Sequence, residues 1–412
     1  MNLKKICEKF LGICARYVVK RDAPCIIAVA GSVGKSSTKE AIGIVLGDGI
    51  IVSPKNYNTE IGVPLTIFGC DAPVGSAWRW AACICTSLCY VIRLYTLKSK
   101  TIVLEMGTDK PGDLKYILGI APPHISVLTA ISPEHMEFFG DIEAVAKEEC
   151  EVLRAVRQDG VGIVNADDVL IQKYGDISAY SFGCAEQASV RILQTEIILD
   201  AEIPTHSGLD VTLYVNGENK KLRLKGMVGR PQAYAISAAL AVAQAMKVEI
   251  DVAISRLQAL YRGMPGRMTL VEGIKRTWLI DDTYNSSPLA ALSAIRDLAN
   301  FPKSSNGKKI AVLGDMLELG AMSDRAHIDE GRAIAEAEID MLVVCGTLGG
   351  VVAKSAIEAG MSVDTVFTFA SSAEAGRFVQ TKLKMDDVVL VKGSRGMHME
   401  KVIQELTAYP NI

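Results

Sequence analysis

The sequence has no excess of positive charge. Its 412 residues hold 44 Lys and Arg against 47 Asp and Glu, a formal net charge of −3, which excludes a nucleic-acid binder held by bulk phosphate neutralisation. Paired metal-ligand spacing is also missing. Ten cysteines are scattered along the chain, and their only tight group, Cys83, Cys85 and Cys89, lies in an apolar run with no histidine nearby. A zinc site needs a second matching pair, so the cysteines read as reduced, buried small residues and the chain as cytoplasmic. Low-complexity tracts are absent, and 35 Gly and 14 Pro are near average, against disorder or a fibrous repeat. There is no signal-peptide pattern in MNLKKICEKFLGICARYVVKRDAP, where Lys and Arg interrupt apolar residues at helical spacing. These residues predict an amphipathic helix over 1–24, packed on the following domain in preference to lying on lipid.

A long hydrophobic run is lacking too. The one stretch apolar enough to suggest a membrane, residues 80–92, is thirteen residues between Arg79 and Arg93. At about 1.5 Å per residue it falls well short of the ~30 Å hydrocarbon core. The surrounding segment 72–95 reads either as a buried helix or as an interfacial one, with Trp78, Trp80 and Tyr90 at headgroup level.

What is present is alternation. Short β-branched runs (CIIAVA, TIVLEMG, HISVLTAI, GVGIVNA, then KKIAVLGDM, MLVVCG, DVVLVKG) are spaced by helical stretches, the mark of parallel sheets covered by helices. Residues 190–227 read as a β-rich insert with a hairpin turn at Asn216 and Gly217. RGMPGRM has the Gly/Pro punctuation of a hinge. The expected organisation is an N-terminal helix (1–24), one α/β domain (25–264) and a second (265–412).

The strongest local signal is IIAVAGSVGKSSTKEAIGIVL, a strand running through Gly31, Ser32, Val33, Gly34, Lys35, Ser36 and Ser37 into a helix. Glycines let backbone N–H groups turn toward phosphate oxygens, and the helix N-terminus adds partial positive charge. Lys35 can reach terminal phosphates and the Ser36 hydroxyl can hold Mg²⁺. Val29 stands where the full pattern has its first glycine, so this is a shortened phosphate loop. Glu105 ends the strand TIVLE, where a carboxylate beside a phosphate loop would hold Mg²⁺.

Nine stretches carry a resemblance: AGSVGKSSTKE, NYNTEIGVPLTIF, LEMGTDKPGDL, ISPEHMEFFGDIEAVAKEE, VNADD, GRM, IDDTYNSSP, VLGDMLELGAMSDRAH and LVKGSRGMHME. In that order, over roughly residues 25 to 400, they resemble the Mur ligase family, closest to its MurF branch, which joins D-alanyl-D-alanine to a UDP-muramoyl-tripeptide. The resemblance implies an α/β fold, with a P-loop central domain of mainly parallel sheet and a Rossmann-like C-terminal domain. It implies ATP and Mg²⁺ as cofactors, and amide formation through an acyl phosphate. Such chemistry needs positioned substrates and metal but no covalent nucleophile.

Residue by residue, the resemblance implies catalytic roles for Lys35, Glu105, His135 and Glu149, and metal contacts for Ser36, Glu105, His135 and Glu149. The loop 31–37, Arg267, Asp282, Tyr284 and Asn285 would contact nucleotide. Asn56, Asn58, Lys392, Ser394 and Arg395 would contact substrate, and Asp315, Glu318 and His327 match the GDM-ELG-H series. An always-charged planar guanidinium suits phosphates reached from between domains. The resemblance implies small peptide and dipeptide substrates; the charge balance speaks against nucleic acid, the apolar segment 72–95 suggests a peripheral membrane contact, and a monomer is expected.

Three departures from the family stand out. Glu149 occupies the place, fourteen residues after His135, where relatives carry a carbamylated lysine. Either Glu149 replaces the carbamate or Lys147 is the modified residue in a shifted register, with Glu149 preferred. Pro231, Gln232 and Ala235 replace the residues that contact adenine. Only about two dozen residues precede the first strand, where relatives have a UDP-binding domain, so the acceptor is held differently or is another molecule, including a lipid-linked one. The related folylpolyglutamate and cyanophycin ligases and a non-catalytic nucleotide-binding scaffold are the competing readings. VLGDMLELG and KGSR favour the D-alanyl-D-alanine-adding ligase over those relatives, and joint retention of Lys35, Ser36, Glu105, His135 and Arg267 disfavours the scaffold.

Overall fold

A computed structural model describes residues 3–54, 57–175, 180–200, 203–302 and 304–407. The β-branched runs form two sheets. The first contains β1 (Cys25–Ala30), β2 (Ile51–Val52), β3 (Thr101–Glu105), β4 (Ile125–Leu128), β5 (Val161–Asn165), β6 (Tyr180–Gly183), β7 (Val190–Ile198), β8 (Gly208–Val215) and β9 (Glu218–Lys225). Its order is β2-β3-β1-β4-β5-β6-β7-β8-β9. Every pairing from β2 to β7 is parallel, while β7–β8 and β8–β9 are antiparallel. Residues 190–227 therefore continue the sheet at one edge. Asn216 (φ 53°) and Gly217 (φ 83°) both take the left-handed conformation that a tight hairpin turn requires.

Side-chain alternation explains the layers. Along β1, Ile26, Ala28 and Ala30 enter a core on one face, and Ile27 and Val29 enter a second core on the other. Helix α1 (Leu3–Asp22) lies on the first face and sinks Leu11, Cys14, Ala15, Val18 and Val19 into it. Each fully buried Leu or Val of this kind contributes about 1.5–3 kcal/mol relative to exposure, so α1 packs on the domain that follows it. Helix α2 (Lys35–Leu46) and the helix Arg230–Ala245 cover the opposite face. Helices α3 (Gly62–Phe68) and α4 (Ala77–Val91) join α1 on the first face. No described helix is long and apolar enough to cross a membrane.

The second sheet contains β10 (Thr269–Glu272), β11 (Trp278–Asp282), β12 (Lys309–Gly314), β13 (Met341–Cys345), β14 (Val366–Phe369) and β15 (Val388–Lys392), in the order β10-β11-β15-β12-β13-β14. Only β10 runs antiparallel to its neighbour. The passage between sheets is stitched: Val228 N donates to Met268 O (3.0 Å) and Leu270 N to Gly226 O (3.0 Å). Within it Gly263 (φ 67°) and Gly266 (φ 74°) supply the backbone turns. This arrangement faces the C-terminal tips of β1 and β3 toward those of β11 and β15, and the candidate site lies between them.

Candidate active site

The loop after β1 is fixed from several sides. Gly31 (φ 122°) passes so close to Thr129 that a Cβ there would lie 2.3 Å from Thr129 Oγ1. Thr129 Oγ1 donates to Val33 O (2.6 Å), Ser32 N donates to Ala130 O (2.7 Å), and Gly31 N donates to Glu149 Oε2 (2.8 Å). Gly34 (φ 90°) turns the chain into α2. Lys35 Nζ donates to the carbonyl oxygens of Gly31 and Ser32, which holds the ammonium over the loop. Loop amides, the α2 N-terminus and this cation together make an anion cradle.

The cradle faces a cleft of about 230 Å³ whose lining includes Ser32, Lys35, Ser36, Asn58, Glu105, Glu134, His135, Arg267, Asp282, Tyr284, Asn285 and Lys392. Arg267 spans it. Its Nη2 donates to Ser36 Oγ (3.1 Å) while its guanidinium stacks on the Tyr284 ring at 4.1 Å. Ser32 Oγ and Arg267 Nε are buried without a hydrogen-bond partner. Orphaned donors around a glycine cradle are what a bound polyphosphate would satisfy. Glu105 is buried at the tip of β3, within 3.3 Å of the buried Lys39 Nζ, and accepts from Asn58 Nδ2 (3.3 Å). No three His, Cys, Asp or Glu side chains converge on a point among the described residues. That composition fits Mg²⁺, which takes one or two protein oxygens and draws the rest from phosphate and water, with Ser36 and Glu105 the nearest candidates.

His135 (φ 51°) stands where three cavities meet. Its Nδ1 lies 3.0 Å from Glu318 of the second domain and its Nε2 3.5 Å from Asp109 of the first. Beyond it a cavity of about 140 Å³ extends between Glu134, Ser287, Glu318, Ser394 and Arg395. A smaller one, about 50 Å³, lies among Lys35, Asn58, Thr108 and Asp109. The structure thus brings Lys35, Ser36, Asn58, Glu105, His135, Arg267, Asp282, Tyr284, Asn285 and Lys392 to one cleft, with Ser394 and Arg395 in its extension. Asn56 lies outside the described residues.

Several side chains are engaged structurally. Lys392 is buried, donating to Asp282 Oδ2 (2.5 Å) and Asn285 O (3.0 Å). Asp315 accepts from the amides of Thr347 (2.8 Å) and Leu348 (3.1 Å). His327 is buried, its Nε2 accepting from Met316 N (2.9 Å) and its Nδ1 facing Ser323 O (2.7 Å). Gln232 donates to Arg267 O (2.6 Å) and accepts from Tyr261 (2.7 Å), so its amide is already committed. Glu149 sits beneath the phosphate loop and is absent from the cleft lining. Burial pushes its carboxyl up to about 7 despite the opposing pull of Lys35 and the Gly31 amide.

The domain profiles agree with this architecture. Residues 87–243 match the Mur ligase middle domain and residues 266–395 the Mur ligase, glutamate ligase domain. The chain belongs to the Mur ligase family. It is 27% identical over 391 residues to the UDP-N-acetylmuramoyl-tripeptide--D-alanyl-D-alanine ligase of Bacillus subtilis, covering 93% of this chain and 76% of the relative. Among solved structures it resembles MurF of Acinetobacter baumannii (26% identity, TM-score 0.75, 96% and 79% covered). MurF of Thermotoga maritima, solved with ADP, shares the fold (24% identity, TM-score 0.77, 97% and 83% covered).

Three residues of this Mur ligase's site escaped the sequence reading. Lys39 lies one helical turn beyond Lys35 and pairs with Glu105. That i, i+4 spacing was the available signal. Thr129 pins the loop from β4, and Glu134 lines both larger cavities. Desolvation raises the Glu134 carboxyl above its ordinary range against the pull of Lys35, His135 and Arg267. Glu134 precedes His135 directly, but only the fold shows that it faces the cleft.

Proposed function

We propose that this Mur ligase joins a peptide carboxylate to the amine of a D-Ala-D-Ala-type dipeptide at the expense of ATP. The observation that supports it best is the meeting of three cavities at His135, one of them built on a phosphate cradle, as a three-substrate ligation requires. The carboxylate oxygen attacks the terminal phosphorus and ADP leaves. The amine nitrogen then attacks the acyl carbon, phosphate departs and the nitrogen loses a proton.

Lys35 and the loop amides hold the triphosphate from one domain, and Arg267 meets it from the other. Mg²⁺, when bound, neutralises phosphate charge, with Ser36, Glu105 and His135 as the proposed protein contacts. The small cavity beside Asn58 would take the acid and the one beside Ser394 and Arg395 the amine, whose own carboxylate suits a guanidinium. Glu149 buttresses the loop through the Gly31 amide, in the place of the family's carbamylated lysine. The substrates are small molecules and the protein acts as a cytoplasmic monomer.

Phosphate release from ATP should require both a UDP-linked or lipid-linked tripeptide and D-Ala-D-Ala, with the condensed product seen by mass spectrometry. ATP hydrolysis indifferent to the dipeptide would overturn the reading.

A further inference from the structure

Two stretches of chain have no part in the ligation. Residues 1–24 and 72–100 carry ten basic side chains and two acidic ones, Glu8 and Asp22, whereas the other 359 residues carry 34 basic and 45 acidic. A charge of +8 is thus concentrated in two segments of a molecule that is elsewhere −11. The fold brings the two segments together. Helices α1 and α4 pack side by side on one flank of the first sheet, and Arg21 Nη1 donates to the carbonyl oxygens of Tyr90 and Val91 (both 2.9 Å).

The outward face of α4 is unsuited to water. Trp78, Cys85, Leu88 and Ile92 recur on it at helical spacing, with Trp78 81% and Ile92 70% exposed. No charged residue lies between Arg79 and Arg93. The inward face, Cys83, Ser87 and Tyr90, is already buried, so beyond Arg79 the helix carries no charge on either face although only half of it is covered. Helix α1 repeats the pattern with Ile6, Ile13 and Tyr17, all exposed. At about 100° per residue these three fall within roughly 40° of one another. Scattered exposed apolar residues need no explanation, but a stripe on each of two adjacent helices does. Where the two helices end, a cavity of about 610 Å³ is lined by Arg93, Lys100 and the ion pair of Arg21 with Asp22, and Leu94 and Tyr95 stand exposed beside it.

We propose that this flank is an interfacial docking surface for an anionic bilayer. Trp78, Ile92 and Ile13 enter the boundary between headgroups and acyl chains, and Arg93, Lys100 and Lys20 face lipid phosphates. The charge distribution selects this occupant. A second copy docked through the same face would set +8 against +8, whereas an anionic membrane attracts the flank and repels the rest of the molecule, which also fixes orientation.

The test uses the full-length protein with vesicles of phosphatidylcholine alone or mixed with phosphatidylglycerol. Co-sedimentation is expected with the mixed vesicles only, falling as salt is raised, with tryptophan emission quenched by brominated lipid in the wild type and much less in Trp78→Phe. The double variant Trp78→Glu, Ile92→Glu should lose at least tenfold in vesicle affinity with an unchanged melting temperature. Arg93→Glu with Lys100→Glu should weaken binding and flatten its salt dependence. Protein that stays in the supernatant with anionic vesicles, or binding that survives both double variants, would overturn the proposal. So would a dimer abolished by the first variant in protein that ignores vesicles.

Discussion

The carboxylate of Glu149 meets the Gly31 amide beneath the phosphate loop, whereas Lys147, two positions earlier on the same helix, points away and lies over the Tyr174 ring at 5.6 Å. The two residues therefore predict different outcomes. Glu149→Ala strands a buried donor in the loop, a cost of about 1–3 kcal/mol, and should weaken ATP binding measurably by calorimetry. Lys147→Ala, at an exposed position, should leave binding and ligation unchanged. Lys35→Ala should lower kcat/KM by about 10²–10³ in a steady-state assay, the usual effect of removing one preorganised charge-stabilising group, without changing the melting temperature by more than a degree or two. The spacing from His135, set against the family pattern, singled out Glu149 in the sequence. What spacing could not show is its partner, because Gly31 is 118 residues away in sequence. Glu134 and Thr129 were missed for the same reason: their roles arise from side chains that meet only in the folded cleft.

At the level of elements, the phosphate loop is tight because Thr129 and Ala130, just beyond β4, leave no room for a side chain at position 31. Gly31→Ala would place a methyl group 2.3 Å from Thr129 Oγ1 at φ 122°. It should abolish nucleotide binding, read by the loss of ATP-induced thermal stabilisation. The parallel core strands were legible as apolar runs because both of their faces are buried. The hairpin at Asn216 and Gly217 was legible from turn chemistry. That β7, β8 and β9 extend the first sheet was not, since hydropathy shows that a strand is half-buried without showing which edge it joins. The outward face of α4 was left open in the sequence for a related reason: an apolar run reads alike whether its second face is covered or bare.

Across the molecule as a whole, burial raises several carboxyls well above their ordinary range. Glu330 is pushed up to about 8, and Asp297 and Glu149 to about 7. A buried acid whose pKa is raised favours the folded state below its unfolded value near 4, and this contribution fades as pH rises through the folded value. Stability should therefore decline between about pH 5 and pH 8, by as much as ~1.4 kcal/mol per pH unit for each fully titrating group. Glu330→Gln, which leaves no charge to bury, should flatten that decline in a melting-temperature profile. Retention of a steep slope would mean that Glu330 is not among its sources.

The two domains are already fastened across the cleft by Arg267 on Ser36 and by Glu318 on His135. Ser36, Arg267 and His135 all line the cleft that carries the phosphate loop. Departure of ADP then requires the lobes to swing apart through solvent, and turnover should slow as glycerol thickens the medium while a single round of bond formation does not.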